Sequence, residues 1–226
     1  MALDEQTRLR EEDPHTERWT DIAENRIEVE MSRFECDLNR PLHKAIYLQP
    51  QDSWGLVVWK ELPEARILRE SYEKWEKFYV EVAQFLDEVH AECGHFAVLD
   101  IHSYCHRRAG RAAPPADPRF NPTVDVGTGN VDIDRWAGLL ERFIEDLRAF
   151  DFNGASLDVG ENTKFSGGYF CRWINHRYGG DACAIALEFK KVFMDEWTNQ
   201  LDEQTLELLK KALASTIPGL FASLSK

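Results

Sequence analysis

The feature that most constrains this chain is a short apolar run that ends abruptly in chemistry. Ala97-Val98-Leu99 is followed at once by Asp100, Ile101, His102, Ser103 and Tyr104 within AVLDIHSYCHRR, residues 97–108. Strands of a mainly parallel sheet are covered on both faces and read as short apolar runs, and polar groups collect beyond their carboxyl ends. In extended geometry Asp100 and His102 are two residues apart and point the same way, so both can enter one pocket. The alternative is a surface loop carrying a solvated histidine. A second run of the same kind, Ala184-Ile185-Ala186-Leu187, leads into Glu188.

Between these runs the pattern alternates strand and helix. Residues 3–25 read as helix interrupted at Pro14. Ile27, Val29 and Met31 alternate with Glu28, Glu30 and Ser32, which predicts a strand over 27–38 with one wet face. Leu68, Tyr72, Trp75, Phe78, Val82, Phe85, Leu86 and Val89 recur at three- and four-residue steps and predict a long amphipathic helix from about Glu64 to Cys93, stopped by Gly94. A proline-rich loop over 111–122, a short strand over 123–126, a helix over 132–150, a turn-rich stretch through Gly167-Gly168, a strand from Ala182 and a helix over 203–223 follow. The expected fold class is α/β, a mixed and mainly parallel sheet flanked by helices, in a single domain spanning 1–226.

A formal net charge of −13 argues against nucleic acid or an anionic membrane surface as the main partner, since both demand clustered cations. A small anionic substrate remains compatible with a few cations lining a pocket. Five cysteines at scattered positions suit reduced thiols better than a disulfide framework. No stretch approaches the ~18 apolar residues of a membrane span, and the amino terminus lacks the apolar core of a signal peptide. A soluble, cytoplasmic protein is expected; oligomeric state is not readable.

Three further stretches carry candidate chemistry. In FECDLNRP, Asn39 can give a directional amide hydrogen bond and Arg40 a planar fork for a carboxylate, or Asp37 and Arg40 can form a structural pair at a turn. Glu188, set in an apolar run, is either a carboxylate whose pKa desolvation raises into the range of a general base, or a buried glutamate satisfied by an arginine. REEDPHTE, residues 10–17, offers Glu12, Asp13 and His15 as oxygen or nitrogen ligands, though a charged helix start explains the same letters. Gly167-Gly168 allows close backbone approach or shapes a tight turn.

Taken together, DLNR, DIHS, GGY and LEF in this order and at these intervals resemble the N-formylglutamate amidohydrolase family, which is similar in fold and mechanism to zinc carboxypeptidases. The resemblance covers about Arg8 to Glu196. It implies a zinc-carboxypeptidase/phosphorylase-hydrolase-like fold and a zinc-dependent amidohydrolase acting on a small acidic N-acyl amino acid such as N-formylglutamate. It further implies His102 as zinc ligand, Glu188 as general base, Asn39 and Arg40 as a clamp for the substrate carboxylate, Asp100 as support for the metal site, and Gly168 as pocket floor. Members of the family carry a further histidine motif upstream of REEDPHTE. This chain begins after that point, so the expectation is either a shortened form lacking a first strand or a metal site completed by Asp13, His15 or Glu12. Arg107 or Arg108 could face charge developing on the substrate. The alternatives are a carboxypeptidase-like peptidase and a non-catalytic anion-binding relative.

Overall fold

The computed structural model describes residues 1–225. In chain order it contains α1 (Glu5–Glu11), a 3-10 helix (Thr16–Ile22), α2 (Ala65–Cys93), β1 (Phe96–Tyr104), β2 (Val124–Gly127), α3 (Ile133–Ala149), β3 (Asp151–Phe152), β4 (Ala155–Ser156), β5 (Val159–Glu161), α4 (Tyr169–Tyr178), β6 (Ala182–Lys190), α5 (Glu203–Ser215) and α6 (Ile217–Leu224). The main sheet has the order β1-β6-β2-β5. β1 pairs with β6, and β2 with β5, in parallel; β2 and β6 run antiparallel. β3 and β4 form a separate two-stranded hairpin. The sheet is mixed and mainly parallel, flanked by helices, as the patterning predicts.

Residue size decides which helix covers which face. On one face of β6 the small residues Ala182, Ala184 and Ala186 let α4 pack closely, together with Val82 and Leu86 of α2. On the other face Cys183, Ile185, Leu187 and Phe189 fill the space beneath α3, α5 and Trp19. β1 alternates likewise, with Phe96 and Val98 toward α2 and Ala97, Leu99 and Ile101 toward the larger core. Burial on both faces explains why these strands read as near-continuous apolar runs.

Three predicted elements differ. Residues 27–38 form no strand: Ile27 and Val29 are exposed and the segment takes no ladder partner among the described residues. Period-two alternation describes a half-wet extended chain, but a strand also needs a neighbour with a free edge. The predicted amino-terminal helix is α1 followed, beyond Pro14, by the 3-10 helix, and the predicted carboxyl-terminal helix is divided at Thr216, just before Pro218. The turn-rich stretch contains α4, whose YFCRWINHRY sequence starts on Gly168 without a side-chain cap. All five cysteines are free thiols. No helix among the described residues is long and apolar enough to cross a membrane.

β2 is short and leaves the first half of β6 without a partner on that edge. Asn175 of α4 takes its place: its Nδ2 donates to the Ala184 carbonyl at 3.0 Å, and the Ala184 amide donates to its Oδ1 at 2.8 Å. Ala184 is fully buried, so Asn175→Ala orphans two backbone groups out of reach of water. We expect a loss of about 2 to 4 kcal/mol, measured as a lower urea midpoint with an unchanged slope.

Candidate functional site

The β1–β6 register builds the centre of the site. Asp100 stands beside Ala186 and His102 beside Glu188, with strand axes about 4.8 Å apart. These side chains lie on the face that is apolar up to Val98 and Ala184. On this face β1 turns polar at Asp100 and β6 one step later at Glu188, which opens a polar floor at their carboxyl ends.

His102 is held on both sides of its ring. Nδ1 lies 3.4 Å from Asp13 Oδ2; Nε2 lies 3.0 Å from Asp100 Oδ1 and 3.0 Å from Asn39 Nδ2. Burial alone would favour the neutral ring, but the flanking Asp100 and Asp13 carboxylates outweigh it and hold the pKa well above the ordinary histidine value. Asp13 opposes its own burial with hydrogen bonding and attraction from His102, aided by Arg33 and Lys191, and its pKa falls well below the usual carboxylate range. Asp100 Oδ2 also accepts from the buried Cys171 thiol at 3.5 Å.

Asp13 reaches the sheet because its segment is anchored there. Its Oδ1 accepts from the Ser103 amide at 2.7 Å and the Ser103 hydroxyl at 3.1 Å. Lys191, 1% exposed, donates to the carbonyls of Arg10 and Glu12, each at 2.6 Å. A buried ammonium is tolerated only where its protons are spent, and here they fix the backbone directly before Asp13.

Asn39 sets its amide against the ring. Its Oδ1 accepts from the Phe170 amide at 2.9 Å, which fixes that amide at the start of α4. Gly168, the residue before α4, lies so close to Asn39 that any Cβ there would collide with the amide. Arg40, about one-third exposed, lies over the Tyr47 ring with Nε 3.7 Å from Asp37. Asp37 is buried and also accepts from Arg33 Nη2 at 2.9 Å, from the Asn39 amide at 2.9 Å and from the Tyr47 hydroxyl. Arg33, which the sequence reading passed over, stands between Asp37 and Asp13, with Nη1 3.9 Å from Asp13. Its signal was an arginine six residues before Asn39 in a segment that alternation assigned to a strand.

Glu188 takes no hydrogen bond or ion pair within the described residues. Protein atoms surround its carboxyl group while a sliver of solvent access remains. Burial pushes its pKa up to about 8, and Asp13 and Asp100 add to the rise against the pull of His102 and Arg33. Asp125, which no motif singles out, is its register partner on β2. That carboxylate is fully buried and accepts from the backbone amides of Thr163, Lys164 and Phe165.

The other sequence candidates lie apart from His102. Glu12 turns its carboxylate to Ser32 and Arg8. His15 sits in the left-handed region at φ 71°. Arg107 donates to the Ala113 carbonyl, and Arg108 pairs with Glu11 at 3.2 Å beside Trp54. A catalytic zinc needs about three protein donors converging with free lone pairs. Asp13 and Asp100 lie at opposite ring nitrogens of His102, both nitrogens are engaged, and no three His, Cys, Asp or Glu among the described residues converge as metal donors. The residues in this arrangement do not fit the three-ligand zinc site, and no step is drawn through one.

The family model for N-formylglutamate amidohydrolase matches residues 1–194, which includes every residue of this site. The chain belongs to the N-formylglutamate amidohydrolase family. A crystal structure of N-formylglutamate amidohydrolase from Ralstonia eutropha JMP134 superposes with a TM-score of 0.70 at 14% identity, covering 98% of this chain and 85% of that one. At that identity the likeness concerns the fold. No curated protein matches the sequence. Family membership supports an amidohydrolase, and it places Asp13, Asn39, His102 and Glu188 within the matched region.

Gly168→Ala is expected to push Asn39 off His102 and disturb the start of α4. The cost should fall in the ~1–3 kcal/mol range of overpacking, read by thermal unfolding, and any catalytic activity should fall with it. An alanine variant with wild-type stability would show that α4 can retreat without cost.

Proposed function

We propose that the chain hydrolyses the C–N amide bond of a small anionic N-acyl amino acid such as N-formylglutamate, with Glu188 as general base. The observation that carries this reading is the unpaired, largely enclosed Glu188 carboxylate beside a cationic His102. Perturbed carboxylates of this kind are what proton transfer near neutral pH requires.

In the reaction Glu188 takes a proton from water as the water oxygen bonds to the acyl carbon. The charge that grows on the carbonyl oxygen faces His102 and Arg33, whose positive charges also act on Glu188. The carbon–nitrogen bond then breaks, the proton held by Glu188 passes to the departing nitrogen, and the products are a carboxylic acid and a free amino acid. Arg40, only loosely paired with Asp37, offers its fork to the substrate carboxylate, and Asn39 keeps His102 in place. Zinc, which the sequence resemblance implies, enters the test as an added component of the assay.

One observation favours the non-catalytic anion-binding reading: both ring nitrogens of His102 already have partners, so the ring offers substrate no free atom. Amine release from N-formylglutamate, assayed with and without added zinc, separates the two. Turnover in either assay supports the hydrolase. Saturable binding of acidic amino acids with no turnover in both supports the binding module.

Two outcomes check the roles. Glu188 acts as a base only when ionised, so kcat/KM should climb with pH to a plateau above about 8. Its folded pKa lies above the ordinary 4.5, so the stability linked to its proton is present at low pH and lost as pH rises through about 8. Glu188→Gln should therefore cut turnover by ~10²-fold or more, raise the melting temperature relative to wild type at pH 8, and leave it nearly unchanged at pH 4.

Arg40→Lys keeps the charge and loses the fork. KM should rise by about tenfold while the melting temperature stays within experimental scatter. Unchanged kinetics would assign Arg40 to its contacts with Asp37 and Tyr47 alone.

A further inference from the structure

Lys164 is an exposed cation delivered to the active cleft by a purpose-shaped loop. Asp125, the neighbour of Glu188 on β2, draws in the amides of Thr163, Lys164 and Phe165 at 3.0, 2.7 and 2.9 Å. The base of the loop is fastened as well: the Asn162 amide donates to the Val126 carbonyl at 3.0 Å, and the Thr128 amide donates to Asn162 Oδ1 at 2.9 Å. A fully buried carboxylate spent on three consecutive amides fixes the backbone from which Lys164 extends.

The ammonium stands 5.2 Å from the Tyr104 ring and 5.8 Å from the Phe165 ring and donates to Asn121 Oδ1 at 2.7 Å. It makes no ion pair with a carboxylate among the described residues, in a chain of 40 acidic and 27 basic residues. Lys190 donates to the backbone carbonyl of the same Asn121 at 2.8 Å. Asp125 and Glu188 attract the charge of Lys164, and that of Arg108 repels it. Cations gathered beside one another with protons to spare make a place for an anion.

Sheet order fixes where that place lies. Crossing from β1 through β6 to β2, one meets His102, Glu188 and Asp125 in register. Asn39 and Arg40 stand on the His102 side, and the backbone of Lys164 is held at Asp125, two strands across, with its ammonium over the Tyr104 ring. An amide carbon placed over Glu188 with its amino-acid carboxylate at Arg40 directs its acyl group toward Lys164.

We propose that Lys164 is a specificity-determining residue that binds a carboxylate on the acyl side of the scissile amide, so that the substrate class is an amino acid acylated by a dicarboxylic acid. The proposal rests on the hydrolase reading above. The reaction balances as before: water adds to the amide carbon, the carbon–nitrogen bond breaks, and a dicarboxylic acid and an amino acid leave.

The test compares N-acetyl-glutamate with N-succinyl-glutamate by amine release, using the full chain under the conditions in which wild type turns over best. Wild type should favour the succinyl substrate by about tenfold or more in kcat/KM. Lys164→Met should lower kcat/KM for the succinyl substrate at least tenfold more than for the acetyl one, chiefly through KM, and Lys164→Arg should restore part of the difference. Equal wild-type rates on the two substrates, or equal losses in Lys164→Met, overturn the proposal and leave the hydrolase reading standing. If neither substrate is cleaved, the hydrolase reading is decided by the N-formylglutamate assay above, and succinate titrated calorimetrically into the Glu188→Gln protein decides the subsite. Binding weakened tenfold or more by adding Lys164→Met supports it; no succinate binding, or binding indifferent to Lys164, overturns it.

Discussion

The in-register pairing of β1 with β6 is the constraint on which the site depends. Both strands are covered on both faces, and a slip of one residue would turn every side chain to the wrong layer. Ala182, Ala184 and Ala186 would then face the core beneath α3 and α5, and Cys183, Ile185 and Leu187 would be driven into α4. Burial thus enforces the register that sets Glu188 beside His102. The remaining site residues follow from satisfying His102: Asp13 and Asp100 neutralise the imidazolium, the Asn39 amide packs against the ring from the start of α4, and Lys191 brings Asp13 within reach.

That arrangement divides the polar groups unequally. Asp37, Asp125 and Lys191 are buried and spend their hydrogen bonds on fixed partners, which stabilises loops that have little apolar surface of their own. Glu188 is left without a partner. An unpaired carboxylate in that setting destabilises the fold whenever it ionises, and the large core beneath α3 and α5 is what allows the fold to carry it. Stability is given up at the one carboxylate that the proposed reaction would use as its base.

Sequence pattern exposed the parts of this structure that burial controls and missed the parts that tertiary partners control. β1, β6, α2 and α3 were legible because their apolar spacing is dictated by layers on fixed sides. Residues 27–38 alternate just as well yet found no open edge, so alternation there described an extended chain and no more. α4 was hidden by its glycine start and by aromatic residues that serve neither period clearly. Within REEDPHTE the letters could not distinguish Asp13 from Glu12 or His15, because the choice is made by Lys191, nearly 180 residues away in sequence, gripping the backbone on either side of Glu11. Asn39 and Gly168 were singled out separately, and only the fold shows that the glycine exists to let the amide through.

The charge distribution completes the case for an anionic substrate in an acidic protein. At a formal net charge of −13 the molecule as a whole repels anions, but at ~0.15 M salt that repulsion is screened beyond about 8 Å. What an approaching carboxylate meets inside that distance is local. Arg33 stands on one flank of the Glu188–His102 pair, with Arg40 beyond it at Asp37, and Lys164 stands on the other, while most of the acids near them are already committed to hydrogen bonds with backbone amides or with those same arginines. An anion that reaches the cleft therefore finds cations with donors to spare and carboxylates with few lone pairs left to repel it. Glu188 remains the exception, and its raised pKa keeps it largely protonated near neutrality until rising pH draws the proton away.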